Sequence, residues 1–279
     1  MKGPKISIVI PTYNAGQTIF DCLNSLAQQQ YTNVEIIIVD GLSTDNTINI
    51  VQSFLSIMDV RFVSGKDNGI YDAMNKGIQI AKGEWIYFMG SDDRLINEEV
   101  LSEVAGYLKS DNDIVYGDVV LLPGGDKESD EWGYLRLLHM CINHQRVFYK
   151  ALLFKKLGSF NTDYLIAADY DLNIRFFCNP GIVAKHIVLP IAFYNTTGYS
   201  TGKIDEPFWN NFKTVMLKSF SPHLSNREIY GRLSFYCWYK MHKKEYSKAL
   251  RLFADIFYNT HSVNFLTHSL SQLIKSIKH

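Results

Sequence analysis

Four short apolar runs, Ile6–Ile10, Val34–Val39, Val60–Ser64 and Trp85–Met89, are separated by three stretches whose apolar residues recur at helical spacing. This alternation constrains the fold more than any other property of the chain. Runs of five or six residues rich in β-branched and aromatic side chains read as buried strands. Between them, Gln17–Gln29 puts Ile19, Cys22, Leu23 and Leu26 on one face, and Ser43-Thr44-Asp45 opens a helix carrying Ile48, Val51 and Leu55. The third stretch has the clearest stripe, Ile70, Ala73, Met74, Gly77, Ile78 and Ala81, and stops at Gly83. A strand–helix order repeated in this way predicts a parallel sheet covered by helices on both faces.

Glu98–Leu108 and Ile114–Tyr116 continue the pattern. Leu122–Gly133 reads as a loop, Val147–Tyr149 as a strand, Ala168–Cys178 as a helix, and Ile187–Tyr194 as a strand broken by Pro190. From Glu206 onward the chain reads as helical and amphipathic. The expected organisation is an α/β body over 1–203 and a helical, basic and aromatic extension over 204–279. With 279 residues and 47% apolar composition there is enough material for one large domain and an appendage.

Formal net charge is zero, so nothing global points to nucleic acid. The charge is uneven, however: residues 203–279 hold 12 Lys and Arg against 5 Asp and Glu, a net +7 balanced by −7 in the body. The extension interleaves Phe208, Trp209, Phe212, Phe235, Tyr236, Trp238 and Tyr239 with Lys240, Lys243, Lys244, Lys248 and Arg251. Two readings stay open: helices lying against an anionic membrane surface, or aromatics packing a small helical subdomain. Cys22, Cys141, Cys178 and Cys237 are far apart and read as buried thiols of a reducing compartment. No apolar stretch reaches the roughly 18 residues of a membrane span, and Met1-Lys2-Gly3-Pro4-Lys5 leads directly into a strand. The expected location is cytoplasmic, with peripheral membrane contact as the open alternative.

The polar residues that carry chemistry stand at strand ends, where open parallel sheets bind ligands. Pro11-Thr12-Tyr13-Asn14 ends the first strand, Asp40 the second, and Gly90-Ser91-Asp92-Asp93 the fourth. Tyr13 offers a ring for a base, and Asp40 an acceptor for a base N–H or ribose hydroxyl. The adjacent carboxylates of Asp92 and Asp93 suit Mg²⁺ or Mn²⁺, which suit a diphosphate. Taken singly, Tyr13-Asn14 reads as a turn and Asp40 as a strand-end cap; taken together, the three strand ends read as a nucleotide site.

Ile8-Val9-Ile10-Pro11-Thr12-Tyr13-Asn14, Ile38-Val39-Asp40-Gly41-Leu42-Ser43-Thr44-Asp45, Asp67–Gly77 and Gly83–Asp93, in that order, resemble the family 2 glycosyltransferases of GT-A fold. The likeness is dense over about the first 100 residues and thinner to about 201. It implies a Rossmann-like, mostly parallel sheet flanked by helices, and a nucleotide site comprising Pro11, Thr12, Tyr13, Asn14, Asp40, Asn68, Asn75, Ser91 and Asp92. By the same resemblance Asp93 binds the metal, Mn²⁺ or Mg²⁺, although Ser91 replaces the first acid of the Asp-x-Asp motif. Asp169 matches the catalytic base, with Ala168 in place of the preceding Glu. Asp169 otherwise reads as a helix cap. His144 and Gln145 resemble an element of bacterial polysaccharide transferases that could touch acceptor or phosphate. Arg175 could meet a phosphate, or pair with Asp171 at helical spacing.

The resemblance implies an inverting transferase that uses a UDP-sugar and acts on a lipid-linked saccharide in bacterial surface polysaccharide assembly (lipopolysaccharide O-antigen or capsule). An oxidoreductase on a doubly wound sheet is disfavoured, because Pro11–Gly16 lacks the Gly-x-Gly-x-x-Gly spacing. A catalytically inactive relative within an assembly complex is the remaining alternative, suggested by Ser91 and Ala168.

Overall fold

The computed structural model describes residues 3–196 and 204–260. Expectations for the loop Gly198–Thr201 and for the last 19 residues of the extension lie outside them. The chain runs β1 (Ile6–Thr12), α1 (Ile19–Ala27), β2 (Val34–Asp40), α2 (Thr47–Phe54), β3 (Val60–Ser64), α3 (Ile70–Ile80) and β4 (Trp85–Phe88). It continues with β5 (Arg94–Leu95), α4 (Val100–Ala105), β6 (Ile114–Leu122), β7 (Lys127–Glu128), α5 (Tyr134–His139), a 3-10 turn at His144–Arg146, β8 (Val147–Lys150) and α6 (Ala151–Leu157). Then come α7 (Ala168–Phe177), β9 (Ala184–Asn195), α8 (Glu206–Phe220), α9 (Asn226–His242) and α10 (Tyr246–Thr260).

The strands form one sheet in the order β3-β2-β1-β4-β8-β6-β9-β5, with β7 on β6. The first four are mutually parallel, as the alternation predicts, with Ile8 opposite both Ile36 and Tyr87. β8 runs antiparallel between β4 and β6, and β6 returns to a parallel pairing with β9. The α/β class and the flanking helices are as expected. β1 is buried along its whole length, which only a strand covered on both faces allows. One face carries the apolar sides of α1 and α2, with Ile6, Ile8, Ile10, Leu23, Val51 and Tyr87 in a single cluster. Among the aromatics of the sheet, Phe88 packs edge-on to Phe154 and Phe160, and Tyr149 edge-on to Phe176.

Several local expectations shift. α2 begins at Thr47 rather than at Ser43: Asn46 is the N-cap position, and Asp45 just before it accepts the Thr47 backbone N–H and hydroxyl. The stretch 122–133 contains the short strand β7, and 134–139 a helix that the periodicity did not reveal. Pro190 does not break β9: the β6–β9 register shifts on either side of the Asp118–Pro190 pair, so the missing N–H falls at an irregularity.

Two compact units emerge. The first comprises the chain up to Trp132 together with Cys141–Asp205; the second comprises Gly133–Met140 and the chain from Glu206. Within the second unit Phe208, Phe212, Met216, Phe220 and Leu233 are buried, Tyr134 stacks on His223 at 3.9 Å, and Trp209 stacks on Tyr236. Most aromatics of the extension therefore pack a helical subdomain. Phe235, Tyr246, Leu250, Phe257 and Tyr258 stay exposed. No described helix is long and apolar enough to cross a membrane.

Candidate functional site

The ends of β1 and β2 are tied into one rigid corner. The Asn14 N–H donates to Ser43 Oγ and its Oδ1 accepts from the Thr44 N–H, both at 2.8 Å. The Ala15 and Gly16 N–H groups donate to Thr47 Oγ1 and Asp45 Oδ2. These bonds hold Asn14, and the Leu42 N–H bond to Asp40 holds Leu42, in left-handed backbone (φ 47° and 66°), a conformation non-glycine residues adopt at a cost. Pro11 and Thr12 are buried in the strand, whereas Tyr13 is 66% exposed.

Asp40 is fully buried, and its carboxylate accepts from the Leu42 and Ser43 N–H groups and from Ser64 Oγ. That is the strand-end cap the residue type allows. An open carboxylate lies nearby on Asp67, just past β3, which sequence reasoning left without a role. Its Oδ1 accepts from the Gly69 N–H. A Cβ at Gly41 would stand 2.7 Å from Asp67 Oδ2 and 3.4 Å from the Tyr13 ring, so bare backbone, ring and carboxylate meet at this point. Of the other expected nucleotide contacts, Asn68 is exposed and donates its N–H to Asp72. Asn75 closes a pair of bonds with the Phe160 backbone. Ser91 is half-buried in the turn after β4.

Asp93 is only 3% exposed. Its Oδ2 accepts from the Gly90 N–H at 3.0 Å and from Gln145 Nε2 at 2.8 Å, and its Oδ1 from the Asn195 N–H at 3.4 Å. Asp92 is exposed and receives Asn195 Nδ2 at 3.3 Å. Burial, and then the Asp92 charge, push the Asp93 carboxyl above the usual carboxylate range. A Cβ on Gly90 would stand 2.6 Å from Asp93 Oδ2 and 2.8 Å from Asp92 Oδ1. Only glycine leaves room for the two oxygens to converge over the backbone. Two hard donors around one open point fit a divalent cation. Among the described residues no group of three or more His, Cys, Asp or Glu side chains is arranged to hold a metal ion.

Asp169 lies in the first turn of α7 and is 17% exposed. Its Oδ1 sits 3.0 Å from Tyr71 Oη and accepts the Tyr170 N–H at 2.8 Å, while its Oδ2 lies 3.5 Å from His144 Nδ1. Tyr71 belongs to the segment Asp67–Gly77, whose presence was legible but whose contact with Asp169 was not. Asp205, also missed, accepts the Ile166 and Ala167 N–H groups and so holds the backbone just ahead of α7, where Ala167 offers no capping side chain. Asp171 is 6% exposed and pairs with Arg175 at 2.8 Å; Arg175 also donates to the carbonyls of Leu157 and Ser159. The intrahelical alternative for Arg175 is therefore the one observed. Burial, and then the charges of Asp93 and Asp169, push Tyr194 on β9 up to about 12. Its phenol thus feels both acids.

The family model described as glycosyl transferase family 2 matches residues 7–170. A PGL/p-HBAD biosynthesis glycosyltransferase of Mycobacterium bovis is 37% identical over 216 residues, 75% of this chain and 84% of that protein. Staphylococcus aureus TarS 1-349 in complex with UDP-GlcNAc superposes with a TM-score of 0.69 at 20% identity, over 82% of this chain and 72% of that one. The mannosyltransferase PcManGT from Pyrobaculum calidifontis, in complex with GDP-Man and Mn²⁺, gives a TM-score of 0.58 at 17% identity over 97% of this chain and 87% of that one.

Proposed function

The chain belongs to glycosyl transferase family 2, and from that premise we propose how this glycosyltransferase works and on what. It is an inverting enzyme that moves a hexose or N-acetylhexosamine from a UDP-sugar to a saccharide carried on a polyprenyl diphosphate, with a β-linked product. The observation that carries the reading is the arrangement of two acids, Asp93 and Asp169, on either side of the His144-Gln145 turn. Catalysis belongs to the first compact unit, which contains every residue of the site.

Tyr13 stacks on the base, and the Asp67 carboxylate beside Gly41 accepts a base or ribose hydrogen. Asp40 keeps the corner in shape. Asp93 and Asp92 would hold Mn²⁺ or Mg²⁺, which neutralises charge on a departing diphosphate. Asp169 removes the proton of the acceptor hydroxyl as its oxygen bonds to the anomeric carbon. The bond from that carbon to the diphosphate oxygen breaks on the opposite face, and its electron pair leaves with UDP. A single in-line displacement turns an α-linked donor into a β-linked product.

The UDP-GlcNAc complex of TarS supports the donor class, and the PGL/p-HBAD relative supports a cell-surface glycan as destination. A cytoplasmic enzyme resting peripherally on an anionic membrane fits the exposed aromatics and net positive charge of the extension. The test is calorimetric titration of UDP with and without Mn²⁺, followed by UDP release from UDP-glucose, UDP-galactose and UDP-GlcNAc in the presence of polyprenyl diphosphate-linked sugar. Metal-dependent UDP binding with turnover of one donor supports the reading. Absence of both points to the inactive relative.

A further inference from the structure

We propose that His144 and Gln145 are a pair of positioning residues that orient the two acids separately, Gln145 on the donor side and His144 on the acceptor side. This rests on the roles given above to Asp93 and Asp169. It replaces direct contact with acceptor or phosphate as the function of the pair.

The turn that carries them is anchored without their side chains. Tyr87 Oη donates to the Gln145 carbonyl at 2.8 Å, the Arg146 N–H donates to the Asn143 carbonyl, and fully buried Arg146 donates its Nε to the Gly117 carbonyl at 2.6 Å. With three residues per turn, neighbours in a 3-10 segment project about 120° apart, so consecutive side chains reach different targets. One reaches Asp93 and the other Asp169. The anchored backbone then sets the separation of the two carboxylates.

Gln145 is costly as a space-filler. It is 5% exposed, and its Oε1 is buried without a hydrogen-bond partner among the described residues. A methionine would fill the same volume without stranding a buried acceptor. What the amide adds is the N–H that holds Asp93 Oδ2. His144 Nδ1 lies 3.5 Å from Asp169 Oδ2, within ion-pair reach; toward Asp93 the ring acts only through its charge, with Gln145 Nε2 making the hydrogen bond there. Tyr71 holds the other oxygen of the Asp169 carboxylate, so the ring completes its orientation.

The roles separate in a crossed experiment on the full-length protein. Gln145→Met and Gln145→Ala should weaken calorimetric binding of UDP with Mn²⁺ about tenfold, the loss of a charge-assisted hydrogen bond, with a smaller loss of kcat at saturating donor than His144→Ala gives. His144→Ala should leave that binding within about twofold and lower kcat, read as UDP release from the UDP-sugar the wild type uses, roughly a hundredfold. His144→Asn, which restores a donor near the Nδ1 position, should recover part of the loss. A merely structural turn would move both readouts together in every variant, and that result overturns the proposal. So does unchanged behaviour in variants that melt at the wild-type temperature. Asp93→Asn and Asp169→Asn serve as references. If they fail to impair binding and turnover respectively, the roles of the acids themselves fall; if they impair them and the turn variants show no split, only the positioning inference falls.

Discussion

Around β1 and β2, polar groups are bonded within one pair of loops: Asp40 to the residues two and three after it, Asn14 to Thr44, Gly16 to Asp45. Asp93 and Asp169 are held by partners far away in the chain. Gln145 reaches Asp93 across 52 residues, Asn195 across 102, and Tyr71 reaches Asp169 across 98. The first region is a preformed frame in which each carboxylate bonds its own loop and the end of a neighbouring element. The second leaves a buried acid beside a second carboxylate, with its proton affinity raised and its donors drawn from three different elements. Bonding among adjacent strand-end loops gives rigidity there; partners from the far end of the chain place chemical groups here.

The largest expected effect tests the second region. Asp169→Ala should lower turnover about a thousandfold or more, as loss of a general base does, and leave UDP affinity unchanged in calorimetry. A parallel loss of UDP binding would place Asp169 in the frame instead. Next, Asp40→Ala should destabilise the protein by about 1–3 kcal/mol in urea unfolding, since it removes the acceptor of Leu42, Ser43 and Ser64 and strands the buried Ser43 N–H. An effect confined to nucleotide binding would show that the corner is not self-supporting.

Asp93→Asn separates the two regions by pH. The folded carboxyl holds its proton above the ordinary value of about 3.9, so the unfolded chain ionises first as pH rises. Wild-type stability therefore falls through that window, and the whole penalty of the buried charge is present at neutral pH. The variant should melt a few degrees higher than wild type at neutral pH without metal, with the difference gone below about pH 4. Its Mn²⁺-dependent UDP binding should drop about tenfold, while that of the wild type weakens on acidification as the proton competes for Asp93. A pH-independent difference in melting would remove the buried charge from the account. The smallest effect is expected of Gly41→Ala, whose Cβ displaces Asp67 and Tyr13. UDP affinity should fall about threefold with stability nearly unchanged, the order of one disturbed contact.

This division also governs what could be read in advance. The strands of the parallel half, their order of alternation and the polar residues at their ends follow from apolar period and turn chemistry, which act over a few residues. Asp40 and Asp93 were legible as strand-end acids for that reason. Asp67 lay in a recognised segment, yet its placement over Gly41 depends on how β2 and β3 align in the sheet. α5, the register shift that accommodates Pro190 and the link from Asp205 to the start of α7 have no local signature.

By itself, then, the sequence determined the α/β class, the parallel half of the sheet, the family and the acids proposed to carry its chemistry. Only the tertiary structure decided which acids are open and which are caps, and that the His144-Gln145 turn lies between Asp93 and Asp169. The physical reason is that period and capping are properties of neighbouring residues. A carboxylate's burial, partners and proton affinity are set by whichever distant side chains the packed sheet brings against it.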